Sequence, residues 1–326
     1  MGSHAPGPHI PAFDVDGWFA RRTFDADAFD VDELAEAKTA GDTSVSVVLP
    51  AYDEAPTIGG VIQAVMELAG KLVDEVVVLD GGSTDGTGEV AASSGARVHT
   101  ALGAFPELGR ALGKGDALWR SLAVTSGDIV VFVDTDIRNP DPRFVSGLLG
   151  PLLLDPDVAL VKAFYDRPIE LDGMMHPSGG GRVTELLARP LLNLFWPELA
   201  GLVQPLSGEY AGRRDLLEAI PFLTGYGVEI GMLIDTVLLR GADAIAQVDL
   251  KRRVHRNQDI TALSRMAFGV LQAALRRLPE ADRARLGDLP NAYRQFARGG
   301  DGQVRVRPEA EVAIVERPPM ASQRRA

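Results

Sequence analysis

The stretch "IVVFVDTDIRNP", residues 129–140, sets two aspartates, Asp134 and Asp136, at the end of an apolar run of strand type. Residues two apart at a strand end point the same way unless the chain turns between them. Two such carboxylates repel each other, and a divalent cation removes the repulsion. Mg²⁺ favours sites made of one or two carboxylates completed by phosphate oxygens, so the pair reads either as the holder of a metal-bound phosphate compound or as two solvated loop residues. Other segments carry related chemistry. Lysines are scarce, five against 28 arginines, which makes Lys114 in "GKGD" (113–116) conspicuous. Its flanking glycines permit a close approach, so the ammonium could reach a phosphate or a base; the alternative is a surface lysine on a helix. In "SGGGRVT" (178–184) the glycines expose backbone N–H groups ahead of a helix, and Arg182 and Thr184 add donors. That combination suits an anion such as a phosphate, with a plain hinge as the other reading. Glu229 in "GYGVEIGM" (225–232) sits among apolar neighbours, where a carboxylate is costly unless it meets a partner.

These residues need elements to position them. "SVSVVLP" (44–50), "DEVVVLD" (74–80), "ARVHT" (96–100) and the run at 129 read as strands. Between them, "TIGGVIQAVMELAG" (57–70) has a helical apolar stripe, Pro56 stands where a first turn tolerates proline, and "TGEVAASSG" and "GKGDALWRSLAVTSG" (113–127) read as further helices. Alternation at these lengths indicates a parallel sheet with right-handed crossovers. Ligands bind at the carboxyl ends of such strands. "LPAYDEAPT" (49–57), "LDGGSTDGT" (79–87) and "VDTDIRNP" (133–140) therefore fall on one edge; "STDGT" alone reads as a cap and turn. The chain divides into an N-terminal extension with a short helix (1–43), an α/β half (44–165), a looser half (166–288) that includes the amphipathic run "VTELLARPLLNLF", and an Arg-, Pro- and Gly-rich tail (289–326) expected to pack loosely. Residues 1–12 are left out of the fold reading, and no internal repeat is visible.

Composition narrows the function classes. The 326 residues are 46% hydrophobic and 24% charged, a globular balance. There is no cysteine, hence no thiolate chemistry and no disulfide framework, and a cytoplasmic location is the default. A net charge of −12 argues against a general nucleic-acid binder. The apolar run "GLLGPLLL" (147–154) contains Pro151 and falls far short of the ~20 residues of a membrane span. No signal-peptide pattern opens the sequence.

In order and spacing, "VVLPAYDEAPTI", "VVVLDGGSTDGT", "GKGDALW" and "DTD" resemble the nucleotide-sugar half of GT-A glycosyltransferases. "GGGRVTELLARPLL", "LVQPLSGEYAGRRDLL", "GYGVEIGMLIDT" and "HRNQ" closely resemble the actinobacterial glucosyl-3-phosphoglycerate synthase family, the likeness running from about residue 30 to 260 with a weaker "ERPPM" near the C-terminus. The resemblance implies a GT-A fold, a Rossmann-like open sheet of parallel type, with a smaller acceptor-binding α/β region. It implies that Pro50, Ala51, Tyr52 and Glu54 line the uridine pocket, with Asp80 near the base and Lys114, Asp134 and Thr135 on the donor. Family members usually carry Asn where this chain has Asp53. It further implies that Asp136 and His255 hold Mg²⁺ or Mn²⁺, and that Gly181, Arg182, Thr184 and Asn257 hold the phosphate of 3-phosphoglycerate. Arg253 and Arg256 would meet the acceptor's charges, and Tyr226 the donor or acceptor. Glu229 would orient the acceptor hydroxyl or take its proton; Glu229, Asp136 and Lys114 would be the catalytic residues. The implied reaction moves glucose from UDP-glucose to 3-phospho-D-glycerate with retention, early in glucosylglycerate or methylglucose lipopolysaccharide synthesis, in a homodimer. Mannosyl transfer from GDP-mannose, relaxed donor choice, or a nucleotide-sugar-binding regulator without catalysis are the alternatives; a transferase acting on a polyprenyl phosphate is disfavoured by the absence of an apolar span.

Overall fold

The computed structural model describes residues 13–166, 169–171, 174–176, 181–254, 259–286, 289, 292–293, 296–298, 304–306 and 310–323. One eight-stranded sheet organises the protein, and its strands and helices come in the order the sequence suggests through the first half: β2 (Val45–Ala51), α3 (Ala55–Met66), β3 (Glu75–Asp80), α4 (Thr87–Ser93), β4 (Arg97–Thr100), α5 (Ala101–Ala104), α6 (Lys114–Ser121) and β5 (Ile129–Phe132). Ahead of them lie α1 (Val15–Arg22), β1 (Thr23–Asp25) and α2 (Val31–Ala40). After them come α7 (Arg143–Leu154), β6 (Leu160–Asp166), a separate hairpin of β7 (Ile169–Leu171) and β8 (Met174–His176), α8 (Arg189–Phe195), β9 (Tyr210–Arg213), α9 (Arg214–Ala219), the short β10 (Phe222–Leu223), α10 (Val228–Arg240), β11 (Ile245–Arg252) and α11 (Ile260–Arg276).

The sheet order is β1-β11-β6-β9-β5-β2-β3-β4. Every neighbouring pair is parallel except those of β9, which runs antiparallel to both β5 and β6. The wholly parallel sheet expected from the alternation thus acquires one reversed strand. Because β2, β3 and β5 remain parallel neighbours, their acidic ends do share an edge. Period-2 alternation sends successive side chains to opposite layers: Val48, Val130, Phe132 and Tyr210 face one core, with α6, α10 and α11, while Val47, Leu49, Val131 and Ala211 face the other, with α3 and α7. Being covered on both faces explains why these strands read as continuous apolar runs.

Three expectations need correction. Residues 13–40 are more than an appended segment, since β1 extends the sheet beside β11 and Trp18, 1% exposed, donates its Nε1–H to Ala242 O at 3.0 Å. The amphipathic run at 183–195 is not a uniform helix: Thr184–Ala188 forms a π-helical turn before α8. Pro190, at the start of α8, has no N–H to give to the preceding turn, and the wider turn absorbs the missing bond. The loose-tail expectation fails where the chain is described again at 310–323, because Ile314 (6% exposed) and Met320 (1%) join the main core and Glu316–Arg317 pairs with β10. No helix among the described residues is long and apolar enough to cross a membrane, and Pro151 lies inside the twelve-residue α7.

Candidate active site

At the carboxyl edge of the sheet opens a cleft of about 670 Å³. Strand ends supply its floor: Pro50 and Ala51 end β2, Tyr52 and Glu54 follow it, Gly81 follows β3, and Asp134, Thr135 and Asp136 follow β5. Thr135 ties two of these ends together by donating its hydroxyl to Pro50 O at 2.9 Å. Lys114, the first residue of α6, closes one side, Tyr226 and Glu229 at the start of α10 another, and Gly181, Arg182 and Thr184 a third. Leu263, Met266 and Val270 of α11 complete the wall.

Electrostatics in the cleft centre on Asp134 and Asp136. Both point to the same side, as the spacing predicts, and one buried guanidinium spans them: Arg253 Nη2 donates to Asp134 Oδ2 at 3.0 Å and Asp136 Oδ1 at 2.7 Å. Behind it, Arg253 Nε lies 3.0 Å from Glu209 Oε1, and Tyr165 donates its hydroxyl to Glu209 Oε2 at 2.5 Å. Burial opposes the charge of Arg253, and Glu209, Asp134 and Asp136 overcome it. Arg253, assigned above to the acceptor, is therefore committed to the aspartates, although it still borders the cleft. Lys114 Nζ stands 2.5 Å from Asp134 Oδ1 and 3.2 Å from Glu229 Oε1. Glu229, 6% exposed, thus has the partner its apolar setting demands. Burial works against the Lys114 ammonium, but Asp134 and Glu229 outweigh it and hold its pKa well above the ordinary value.

The donor set suits a divalent cation. Burial, reinforced by Asp134 and Glu209, raises the Asp136 carboxyl above its usual range despite the pull of Arg253. Glu54 is raised likewise, by burial and by Asp136. Among the described residues, the four carboxylates Asp134, Asp136, Glu209 and Glu229 form ion pairs at this centre with two cations, Lys114 and Arg253. Excess negative charge of this kind admits a diphosphate only together with a cation. No group of three His, Cys, Asp or Glu able to hold a metal occurs among the described residues. His255, Arg256 and Asn257 lie outside the described residues, so Asp136 is the one proposed ligand placed here.

Other expected residues have narrower roles. Asp80 does not line the cleft: its Oδ1 accepts from Gly82 N (3.0 Å), Ser83 N (2.8 Å) and Ser83 Oγ (2.7 Å), which folds the loop that presents Gly81. "STDGT" is a capping segment, as read: Asp85 accepts from Ala55 N (3.0 Å) at the start of α3 and from Thr87 N (3.0 Å). Asp53 has φ 54° and accepts from Thr84 N at 2.8 Å. Asn and Asp are the non-glycine residues that best tolerate that conformation.

Three residues in and around this centre escaped the sequence reading. Glu209 (0% exposed) is a carboxylate at the mouth of an apolar strand, the same signal that exposed Glu229. Gly208 is required by space, since a Cβ there would lie 1.9 Å from Asp134 Oδ2 and 2.7 Å from Lys114 Nζ. Lys162, 2% exposed in β6, donates to Ser207 O at 2.6 Å and lies 4.3 Å from the centre of the Tyr210 ring. The scarcity of lysine was the available signal. Burial first, then Lys114, pushes the Lys162 pKa down to about 7, against Glu229, Glu209 and Asp134.

The sequence profile of Glycosyl transferase family 2 matches residues 46–220. Fold and cleft are those of a GT-A nucleotide-sugar transferase. Glucosyl-3-phosphoglycerate synthase of Mycolicibacterium smegmatis is 48% identical over 94% of this chain and 98% of its own. Among solved structures, mannosyl-3-phosphoglycerate synthase of Rubrobacter xylanophilus superposes with a TM-score of 0.86 at 42% identity, covering 96% of this chain and 99% of its own. Glucosyl-3-phosphoglycerate synthase of Mycobacterium tuberculosis, solved with Mn²⁺, UDP-glucose and phosphoglyceric acid, gives 0.78 at 47% identity over 90% of this chain and 95% of its own; the same enzyme was also solved with Mg²⁺ and UDP. The chain belongs to the glucosyl-3-phosphoglycerate synthase family.

The Lys162 geometry yields a signed prediction. Its folded pKa of about 7 lies below the unfolded value near 10.4, so between those limits the unfolded chain holds a proton the folded protein lacks. Stability should therefore rise from pH 7 to pH 9.5, by at most ~1.4 kcal/mol per pH unit. Below pH 7 both states are protonated and the contribution stays constant. Urea unfolding at pH 7, 8 and 9 should show this slope in the native sequence and its loss in Lys162→Met; an equal slope in both would remove Lys162 as its source.

Proposed function

We propose that the protein transfers glucose from UDP-glucose to the 2-hydroxyl of 3-phospho-D-glycerate with retention, giving glucosyl-3-phosphoglycerate. One observation carries the reading: the Asp134–Lys114–Glu229 group and Gly181, Arg182 and Thr184 line the same cleft, which supports donor chemistry on one side and an anion site on the other. The backbone from Pro50 to Tyr52, with Glu54, would hold the nucleotide, Asp134 and Thr135 the ribose or sugar, and Asp136 with His255 a Mg²⁺ or Mn²⁺. That cation supplies electrostatic stabilisation of the departing diphosphate. Arg253 keeps Asp136 aimed at the cation's place, and Lys114 adds positive charge beside the donor. Glu229 orients the acceptor hydroxyl, held close to the donor by its contact with Lys114. The sugar–phosphate C–O bond breaks as the acceptor oxygen bonds to the anomeric carbon on the same face, and the acceptor proton passes to the departing diphosphate. Arg182 and Thr184, with Asn257, would hold the acceptor phosphate.

A second reading, mannosyl transfer from GDP-mannose, is supported by the similarity to the mannosyl-3-phosphoglycerate synthase structure. A non-catalytic regulator is disfavoured by the assembled carboxylate and lysine centre. We place the protein in the cytoplasm, at the start of glucosylglycerate or methylglucose lipopolysaccharide synthesis. A homodimer is supported by the exposed apolar side chains Leu186 (78% exposed) and Leu194 (74%).

Purified protein with Mg²⁺ should form product from UDP-glucose and 3-phosphoglycerate faster than from GDP-glucose or GDP-mannose, followed by nucleoside diphosphate release and mass of the product. Preference for GDP-mannose would install the second reading, and no turnover with any donor the regulator. Asp136→Ala should abolish turnover and make UDP affinity independent of metal in calorimetry; near-normal activity would remove Asp136 from the metal site. Arg182→Ala deletes a charge-assisted hydrogen bond worth about 1.5–3 kcal/mol, so the KM for 3-phosphoglycerate should rise roughly 10- to 150-fold with UDP affinity nearly unchanged. Free glycerate should be used as poorly by the variant as by the native protein. An unchanged KM for 3-phosphoglycerate would return Arg182 to the surface of a helix start.

A further inference from the structure

Residues 312–320 are not among the residues that line the cleft, yet they brace two of its walls from behind. Glu316–Arg317 pairs antiparallel with β10, Thr224 N donates to Val315 O at 2.9 Å, and Val315 N donates to Thr224 Oγ1 at 2.9 Å. The stretch Leu223–Gly225 then lies directly on the start of α6. Gly225 N donates to Leu112 O at 3.2 Å, a Cβ on Gly115 would sit 1.9 Å from Leu223 O, and one on Gly113 3.1 Å from Gly225 Cα. Three layers of backbone, the inner two too close for any side chain between them, run from the C-terminal segment to Lys114 and, past Gly225, to Tyr226.

Side chains lock the stack. Arg317 meets Asp116 side-on, Nε to Oδ1 at 2.7 Å and Nη2 to Oδ2 at 3.1 Å. Asp116, fully buried, also accepts from Arg120 Nη2 at 3.1 Å and from Leu112 N at 2.9 Å. Trp119 Nε1 donates to Pro318 O at 2.8 Å. Lys114 occupies the first position of α6, where the positive end of a helix disfavours a cation. Asp116, two residues on, offsets that repulsion, and Arg317 fixes Asp116. Burial disfavours the Asp116 carboxylate, but the hydrogen bonds from Arg317 and Arg120 keep its pKa below the ordinary range.

We propose that residues 312–320 are a positioning element of the active site, in which Arg317, acting through Asp116, holds Lys114 against Asp134 and Glu229. The catalytic meaning rests on the reading of Lys114 given above; the positional claim does not. Full-length Arg317→Ala, Arg317→Lys and Glu316→Ala are the variants. Glu316 pairs with Arg277 at 2.5 Å on the same two-residue strand and controls for general loosening of that strand. The first readout needs no turnover: the rate at which an amine-reactive ester acylates Lys114 in the folded protein, read by mass spectrometry. Arg317→Ala should accelerate it, Glu316→Ala should not. The second is kinetic. In Arg317→Ala, kcat/KM for UDP-glucose should fall about 10- to 100-fold while the KM for 3-phosphoglycerate moves by less than about threefold, as displacement of one group far from the chemistry predicts. Arg317→Lys, which keeps the charge but loses the fork, should recover only part of this. Should Arg317→Ala fail to fold, Trp119→Phe, which removes the bond to Pro318 O and trims the ring packed on Phe105 and Arg317, should move both readouts the same way by less. An unchanged Lys114 acylation rate in a folded variant overturns the proposal, whereas absence of glucosyl transfer in the native protein overturns the functional reading and leaves the acylation result to decide this one.

Discussion

A single guanidinium holds the active edge together. Arg253 joins the turn after β5, through Asp134 and Asp136, to the start of β9, through Glu209, and does so from the end of β11. Buried ion pairs are expensive, because desolvation takes back most of the Coulombic gain. Here the cost is offset by geometry: two carboxylates are bridged by one nitrogen, and Glu209 takes a further hydrogen bond from Tyr165. Without that cation three carboxylates would face one another.

The remaining charges follow from this arrangement. With Arg253 paired to the aspartates, Lys114 is the other cation of this centre among the described residues, and it is held by Asp134 and Glu229. The surplus of carboxylates then makes a metal ion the natural companion of a diphosphate. Lys162 sits below as a partial counterweight; lacking a carboxylate at contact distance, it anchors the carbonyl of Ser207 and thereby the Gly208 backbone pressed against the Asp134–Lys114 pair. The C-terminal segment acts on the same pair from the opposite side, through Asp116 and the first turn of α6.

Much of this was legible in residue order. Apolar runs of strand length ending in "YDE", "DGG" and "DTD" identified the sheet and its active edge, because parallel strands put all their carboxyl ends together. Lys114, Arg182 and Glu229, singled out by their chemistry, and Tyr52 and Glu54, singled out by the resemblance, all line the cleft. Less legible were features made by contacts between distant segments. Reversal of β9 depends on pairing with β5 and β6, for which "EYAGR" carries no local sign. Asp80, which the resemblance puts near the base, makes three hydrogen bonds within its own loop, and a strand-end acid carries no local sign of them.

By itself the sequence determined the fold class, the edge of the sheet where chemistry occurs and the kinds of group brought there, since periodicity, turn residues and an acidic strand end are local properties. The tertiary structure alone decided which charges pair. Arg253 and Asp134 are 119 residues apart, Arg317 and Asp116 201 apart. Whether an arginine meets a substrate or a neighbouring carboxylate depends on which oxygen lies within about 3 Å once the chain has closed, and no local pattern encodes that distance.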